Sequence, residues 1–128
     1  MNLELQTLTW SKADSIVADA LIVPVPHKAP KAAGLLSSML TQLQKTGDFK
    51  PTKGRTFLWW KPPGWKASRL VFVGTGEDRA QDIQQALSAA IQSLKKTQIQ
   101  RVVVLLTEEQ SMHLVVAAQA VSDAAYTY

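Results

Sequence analysis

The sequence predicts a single α/β domain with three layers (α/β/α), in which a mixed and mostly parallel sheet lies between helices. Segments rich in apolar and β-branched residues alternate along the chain with segments of helical periodicity, as in sheets whose parallel strands are joined by helices. Residues 101–107 contain a continuous run of Val and Leu, which indicates a parallel strand buried on both faces. A length of 128 residues is sufficient for one domain with one core.

The first quarter of the chain predicts two strands. Residues 1–9 alternate leucines with polar residues, imperfectly, and indicate a half-buried strand. Residues 11–19 are polar and long enough for a single helical turn, and residues 20–23 are apolar on both faces, as in a central strand. We expect Pro24 and Pro26 to end this second strand, because proline has no N–H to donate to a ladder and restricts the residue before it.

Three later segments have helical periodicity. Residues 31–45 place leucine and methionine side chains on one stripe, and Gly47 follows close to the expected end. Residues 112–125 indicate a final apolar helix, and the T-x-x-Q sequence at 107–110 has the form of a capping box before it. The clearest helix covers residues 79–96, with an apolar stripe made of Ile83, Ala86, Leu87, Ala90, Ile91 and Leu94.

Residues 56–60 and 69–73 indicate an antiparallel pair of strands. Both segments are rich in aromatic, β-branched or aliphatic residues. The sequence Lys61-Pro62-Pro63-Gly64 lies between them and cannot continue the ladder, so the connection is longer than a tight hairpin. The predicted order of elements is β, β, α, β, β, α, β, α.

Composition excludes several classes of protein. With 46% hydrophobic and 19% charged residues, the chain has the composition of a globular domain. It contains no cysteine, which excludes disulfides, a thiolate nucleophile and a cysteine-based metal site. No apolar run approaches the ~20 residues that cross a bilayer, and residues 1–10 lack the pattern of a signal peptide. We therefore expect a cytoplasmic protein with no membrane partner.

The residue types that perform catalysis are few and scattered. His27 and His113 are the only histidines, and neither has a second ligand or a nucleophile at suitable spacing. Gly74-Thr75-Gly76 follows a predicted strand, but Arg79 stands where a dinucleotide-binding fingerprint has its third glycine. We interpret this sequence as a tight turn in which glycine permits a positive φ. The residues themselves predict no catalytic and no metal-binding site.

The most suggestive surface is a basic, tryptophan-rich stretch, residues 45–69, which we name the basic segment. It carries seven Lys and Arg residues against Asp48 alone, a net charge of +6, and the rest of the chain is −2. Tryptophans beside cations can stack on bases or anchor an interface, although solvated cations and alternately core-facing rings would give the same pattern. The candidate residues for contact with a partner or nucleic acid are Lys53, Arg55, Trp60, Lys61, Trp65 and Lys66.

Several segments, in their order and spacing, resemble a known family. They are residues 18–23 (ADALIV), 54–58 (GRTFL), 69–76 (RLVFVGTG), 83–106 and 116–128. Together they resemble the N-terminal domain of the leucyl (cytosol) aminopeptidases, and the resemblance covers most of the chain. Thr75 departs from the pattern, since the family commonly has leucine there, and the tryptophan-rich stretch does not fit it.

The resemblance implies a fold similar to a macro domain, and residues 1–128 as one non-catalytic N-terminal domain. The catalytic domain, absent from this chain, would hold two divalent metal ions, zinc or manganese, so this chain would need no cofactor. The implied partners are that catalytic domain, further copies in a hexamer and, in some bacterial members, DNA. Tyr126-Thr127-Tyr128, after an apolar helix, would mark the passage to a linker.

Two other interpretations stay open. A free-standing macro-type domain that binds ADP-ribose is suggested by Asp19-Ala20 and Gly74-Thr75-Gly76, although Pro24 stands where such domains continue into an asparagine-containing loop. A nucleic-acid-binding module is suggested by the basic segment, residues 45–69. The first interpretation predicts binding of ADP-ribose, and the second predicts salt-dependent binding of oligonucleotides.

Overall fold

The computed structural model describes residues 2–7, 10–26, 35–50, 52, 55–77, 79–94 and 101–106. As far as β5, the order of elements is the predicted one. The final helix predicted at 112–125 and its capping box lie outside the described residues, as do His27 and His113. The elements are β1 (Asn2–Thr7), a 3-10 helix (Trp10–Ser15), β2 (Ala20–Pro26), α1 (Leu35–Thr46), β3 (Thr56–Trp60), β4 (Arg69–Gly76), α2 (Ala80–Leu94) and β5 (Arg101–Leu106).

The strands form one sheet in the order β1-β5-β2-β4-β3. β1 pairs with β5, β5 with β2 and β2 with β4, all in parallel, whereas β3 pairs antiparallel with β4. The predicted mixed, mostly parallel sheet is therefore confirmed. β2 and β5 lie inside the sheet and are buried along almost their whole length, which accounts for their continuous apolar sequences.

Helices cover both faces of the sheet, so the three predicted layers are confirmed. α2 packs on one face with its apolar stripe, and α1 packs on the other together with the 3-10 helix. Alternate residues of β4 show the division: Val71 and Val73 face α2, whereas Leu70 and Phe72 face α1. None of the helices in the described residues is long and apolar enough to span a membrane.

Pro24 and Pro26 do not end β2, contrary to the expectation from the sequence. β2 extends to Pro26 and pairs with β4 along this part, with Pro24 opposite Val73. Its described pairing with β5 stops at Ile22. A proline is tolerated within a strand at a position where its nitrogen is not needed as a ladder donor.

The tight turn expected over Gly74-Thr75-Gly76 is confirmed only at Gly76, because β4 continues through all three residues. Gly76 ends the strand with a φ of 60°, in the region that favours glycine. Gly74 still belongs to the sheet, because its N–H donates to the carbonyl of Arg55 at 2.8 Å. The strand therefore passes into α2 within a few residues.

The long connection between β3 and β4 is hydrogen-bonded to the segment that precedes β2. Lys66 donates its N–H to the carbonyl of Asp14, at 3.2 Å, and Ser68 donates to Ala18, at 3.1 Å. These bonds fasten the start of β4 to the segment around the 3-10 helix. They also position Trp65, which packs against the α1-side core.

Candidate interaction surface along the outer strand

β3 lies at one edge of the sheet and separates two surfaces. Its side chains alternate between exposed and half-buried. Phe57 and Trp59 point to the α1 side, where they pack against the core. Leu58 and Trp60 point to the opposite side and are 43% and 56% exposed. Two large apolar side chains therefore face solvent beside an edge where no described strand pairs.

The backbone of β3 presents further groups at this edge. The carbonyl of Arg55 accepts the N–H of Gly74 at 2.8 Å, which marks residue 55 as bonded toward β4. Hydrogen bonding in an antiparallel ladder alternates, so the odd-numbered residues of β3 bond to β4. Thr56, Leu58 and Trp60 consequently point their N–H and C=O groups away from β4. The side chains of these three residues are exposed as well.

Two cations lie over the exposed tryptophan. The guanidinium carbon of Arg69 is 4.0 Å from the ring centroid of Trp60, and Nζ of Lys61 is 6.0 Å from it. Arg69 is directly opposite Trp60 in the register of β3 and β4, which places both side chains on one face. Lys61 has a φ of 47°, which turns the chain at the end of β3. Cation–π contacts of this kind contribute ~0.5–1 kcal/mol at exposed sites.

The positive charge at this end of β3 is not balanced by a carboxylate of the described residues. Two ion pairs in the described ranges join Arg79 to Glu77 and Arg101 to Glu4, and neither involves this end of β3. Nε of Arg69 is buried without a hydrogen-bond partner among those residues. The surface therefore combines apolar side chains with cations that no carboxylate of the described ranges pairs with.

The α1 side of β3 carries a cleft of about 230 Å³. The cleft contains one carboxylate, Asp48, which accepts a hydrogen bond from the hydroxyl of Thr46 at 2.8 Å. Its lining residues are Met39, Gln42, Leu43, Thr46, Asp48, Phe57 and Trp59. The two sides of the outer strand thus differ in charge: the cleft side is apolar with a negative charge, and the Trp60 side is apolar with positive charges.

The structure brings together part of the predicted contact set. Trp60 and Lys61 are in contact, as described above. Trp65 is half-buried instead, and its Nε1–H donates to Sδ of Met39 at 2.7 Å. Lys53 lies outside the described residues. The exposed members of the set are Arg55, Trp60, Lys61 and Lys66.

Leu58 and Arg69 belong to this surface, although the sequence does not single them out. Leu58 could have been found, because it lies two residues from Trp60 and so shares its side of the strand. Arg69 could not, because the long connection between β3 and β4 leaves the register of the pair undetermined. Only the observed register places Arg69 beside Trp60.

The opposite edge of the sheet contains an ion pair between β1 and β5. Glu4 accepts a hydrogen bond from the guanidinium of Arg101 at 3.0 Å. This hydrogen bond is the main cause of a pKa of Glu4 below its usual value, and partial desolvation opposes it. Arg101 also donates its backbone N–H to the carboxylate of Asp19 at 2.8 Å, which ties β5 to the start of β2. These contacts hold strands together.

The divalent ions implied by the resemblance need several donors in one place. In the described ranges, no three His, Cys, Asp or Glu side chains are grouped so that they could hold a metal ion. The residues present there therefore do not fit such a group.

Comparison with known proteins identifies the family. Residues 22–128 match the family model described as cytosol aminopeptidase family, N-terminal domain. The chain belongs to the cytosol aminopeptidase family. The match spans β2 to β5 and therefore includes both the buried centre of the sheet and the outer strand. The resemblance seen in the sequence is confirmed.

Other proteins that carry the cytosol aminopeptidase name align with the whole of this chain. A probable cytosol aminopeptidase of Acidovorax ebreus (strain TPSY) is 33% identical over 129 residues, covering 100% of this chain and 26% of the relative. One from Acidovorax sp. (strain JS42) is 32% identical over 129 residues, with the same coverage. The chain spans about a quarter of the length of these relatives.

Solved structures show the fold of this cytosol aminopeptidase family member. The macrodomain of Mycobacterium tuberculosis DarG has a TM-score of 0.60 and 16% identity, covering 96% of this chain and 89% of that one. The macrodomain of Thermus aquaticus DarG has a TM-score of 0.59 and 13% identity, with the same coverage. Identity this low shows the fold alone, and the predicted macro-domain-like fold is confirmed.

Proposed function

We propose that this chain is the non-catalytic N-terminal domain of a metal-dependent aminopeptidase, which removes N-terminal residues, leucine among the favoured ones, from peptides. The observation that carries the proposal is the match of residues 22–128 to the N-terminal domain of the family. The relatives are about four times as long as the aligned segment, which supports a separate catalytic domain outside these residues. The names of the relatives support a cytoplasmic location.

The reaction itself is assigned to that catalytic domain. Its two divalent ions, zinc or manganese, would activate water for attack on the peptide bond. The described residues offer no set of donors for these ions.

The role assigned to this domain is assembly of a hexamer and control of access to the catalytic domain. A sheet covered by helices on both faces is a rigid unit that can hold an interface in place.

A chimera tests this division of roles. In the Acidovorax ebreus relative, the segment that aligns with this chain is deleted in one variant and replaced by this chain in another. We expect sedimentation velocity to show loss of the hexamer on deletion and its return in the chimera. We also expect the 128-residue chain alone to release no p-nitroaniline from leucine p-nitroanilide.

Two results would contradict the proposal in different ways. Hydrolysis by the isolated chain that a chelator abolishes would contradict the non-catalytic assignment. A chimera or deletion variant that is fully active and monomeric would contradict the assembly role.

The macro-type alternative makes a separate prediction. A free-standing macro-type domain would bind ADP-ribose with an affinity in the micromolar range, whereas we expect no heat of binding from this chain at about 1 mM ligand. Isothermal titration calorimetry measures the difference. Saturable binding in the micromolar range would favour the alternative.

DNA binding through the basic segment stays a second proposal. The exposed cations Arg55, Lys61 and Lys66 support it. Trp59 and Trp65, however, pack against the core, and the guanidinium of Arg69 already covers the ring of Trp60. Few aromatic faces in this segment are therefore available to stack on bases. A mobility-shift titration of the full-length parent tests the proposal, and the absence of salt-sensitive binding would remove it.

A further inference from the structure

We propose that the outer edge of β3 binds an extended, acidic peptide segment of a partner protein, which pairs with β3 as an additional strand. The proposal goes beyond assembly of the parent enzyme. It rests on the backbone groups at this edge, on the two different surfaces beside it, and on the cations around Trp60.

The backbone supplies a template for strand addition. Thr56, Leu58 and Trp60 each point an N–H and a C=O away from β4, so an added strand would form about six ladder hydrogen bonds. Peptides recognised by strand addition gain affinity from these main-chain bonds and specificity from alternate side chains. No strand in the described part of the chain occupies this position.

The side chains of an added strand would point alternately to the two sides of the sheet, and the cleft on the α1 side favours one chemical type for those that point toward it. A side chain of the added strand that points to this side would lie beside Phe57 and Trp59, at a cleft of about 230 Å³. The cleft is mainly apolar, and the carboxylate of Asp48 disfavours a second negative charge. Apolar side chains therefore fit this side of the peptide.

The cations on the Trp60 side favour acidic side chains at the remaining, alternate positions of the peptide. A side chain that points to this side would lie beside Leu58 and Trp60, next to the cations of Lys61 and Arg69. No described carboxylate pairs with either cation. Glutamate or aspartate at alternate positions would supply the missing negative charge, with charge-assisted bonds to the guanidinium or ammonium.

A second copy of this chain fits the edge less well. Two-fold antiparallel pairing of β3 with itself about Leu58 would place Arg55 of one copy opposite Lys61 of the other, at both ends of the interface. Both residues are exposed cations. Like charges at opposite positions destabilise a strand pair, so the charge of this edge selects an acidic partner rather than a copy of itself.

The probe is the heptapeptide Glu-Val-Glu-Phe-Glu-Val-Glu-amide, which carries fluorescein on its N-terminal amine and in which acidic and apolar residues alternate. Fluorescence polarisation measures its binding to the 128-residue chain. We expect saturable binding at least ~10-fold tighter than that of the same peptide with every Glu replaced by Lys. A peptide of the same composition with its acidic and apolar residues in two separate blocks tests whether the alternation is required.

Matched variants separate the contribution of backbone hydrogen bonds to peptide binding from that of the cations. Leu58→Pro removes one outward N–H, and we expect it to weaken binding ~10-fold or more, whereas Leu58→Thr keeps that N–H and should stay within ~3-fold. Lys61→Gln should weaken binding ~3-fold or more. Arg79→Gln makes the same charge change beyond the opposite end of β4 and should leave binding unchanged.

Amide hydrogen exchange followed by NMR tests strand addition even where the proline variant fails to fold. We expect the peptide to slow exchange at the amides of Thr56, Leu58 and Trp60 in the unmodified chain. The amides of Phe57 and Trp59 bond to β4 already, so the peptide should change their exchange much less.

Four results would overturn the proposal. The first is no saturable binding of the Glu peptide at about 1 mM protein. The second is binding with no added protection at the three outward amides. The third is self-association without peptide that Leu58→Pro abolishes, which would make a second copy the occupant. The last is an oligothymidine that competes with the Glu peptide and binds more tightly, which would make the edge a nucleic-acid site.

Discussion

Trp59 and Trp60 are neighbours in the sequence and have different surroundings. Trp59 packs against the core on the α1 side, and its ring meets that of Phe57 edge to face, with centroids 6.1 Å apart. Trp60 is 56% exposed and is contacted by the cations of Arg69 and Lys61. The difference follows from the two-residue period of a strand, which sends adjacent side chains to opposite faces.

Replacing each of these tryptophans with alanine should therefore have unequal effects on stability. We expect Trp59→Ala to lower the free energy of unfolding by about 2 kcal/mol, because half-buried aromatic contacts with the core are lost. Trp60→Ala should lower it by less than about 1 kcal/mol, because the lost contacts are mainly cation–π contacts in solvent. Urea denaturation measures both, and equal losses would contradict the burial seen in the structure.

The Glu4–Arg101 ion pair predicts a dependence of stability on pH. The hydrogen bond from Arg101 lowers the pKa of Glu4 in the folded state, below its ordinary value of 4.5. The pair therefore stabilises the fold above that ordinary value, and its contribution is lost as the pH falls through the lower folded-state pKa. Glu4→Gln should reduce the melting temperature at about pH 7 and have little effect below both pKa values.

Circular dichroism melts across this range measure the effect. Arg101→Gln removes the same hydrogen bond and should lose its destabilising effect over the same range of pH. A Glu4→Gln effect that stays constant from neutral to acidic pH would show that the ion pair is not its cause.

α2 begins with a contact that the sequence pattern did not reveal. Asp82, in the first turn, accepts the backbone N–H of Arg79 at 3.3 Å. Asp82 is the third residue of the helix and Arg79 is the residue before it, so this contact is the second half of a capping box, in which a side chain in the first turn accepts the N–H of the preceding residue. An acidic residue in the first turn also complements the helix dipole. Asp82 is only 4% exposed, so its carboxylate is held close to the chain it caps.

Asp82→Ala should lower the free energy of unfolding by about 1 kcal/mol, since capping groups typically contribute this much. Gln81→Ala is the control, because Gln81 is exposed in the same turn and alanine is a better helix former. Thermal denaturation of the two variants measures the difference. A larger loss from the control than from Asp82→Ala would contradict the capping role.

The sheet divides the apolar interior of the domain into two clusters. Ile91 belongs to the cluster under α2, and Ile16 belongs to the cluster under α1 and the 3-10 helix. Each cluster takes alternate residues from the same central strands. The backbone of the sheet therefore lies between the two sets of side chains.

Substitutions in the two clusters should act independently. We expect Ile91→Val and Ile16→Val each to lower the free energy of unfolding by about 0.5–1.5 kcal/mol. The double variant should lose the sum of the two within about 0.5 kcal/mol, because the side chains share no partners. Denaturant titrations of the four proteins measure the coupling, and a coupling free energy above about 1 kcal/mol would show that the sheet transmits strain between its faces.

Most elements of this fold were predictable because each has a local period. The alternating leucines of β1, the apolar stripe of α2 and the Val-Leu run of β5 all depend on neighbouring residues, and the strand and helix bounds agree within a few positions. β2 was an exception. Local rules predict that its prolines end the strand, because proline cannot donate to a ladder. The strand nevertheless continues to Pro26, beyond Ile22, where its described pairing with β5 stops.

The candidate surface was predictable only in part, because local patterns do not determine which strands pair or in which register. Composition was enough to indicate the basic segment, and the order of motifs was enough to indicate the family. Neither indicates which residues of β3 face solvent beside which cations. Leu58, Trp60 and Arg69 meet because β3 is an edge strand and because its register with β4 pairs residue 60 with residue 69.

The fold class, the family and the scarcity of catalytic groups could all be inferred from residues that are close in the sequence. The arrangement of the outer strand could not, since strand order and register depend on contacts between residues far apart in the chain. A one-residue shift in register would exchange every side chain of β3 between the core and solvent. That is why the sequence predicted a tryptophan-rich strand, and only its packing decided that Trp59 lies against the core while Trp60 is exposed to solvent.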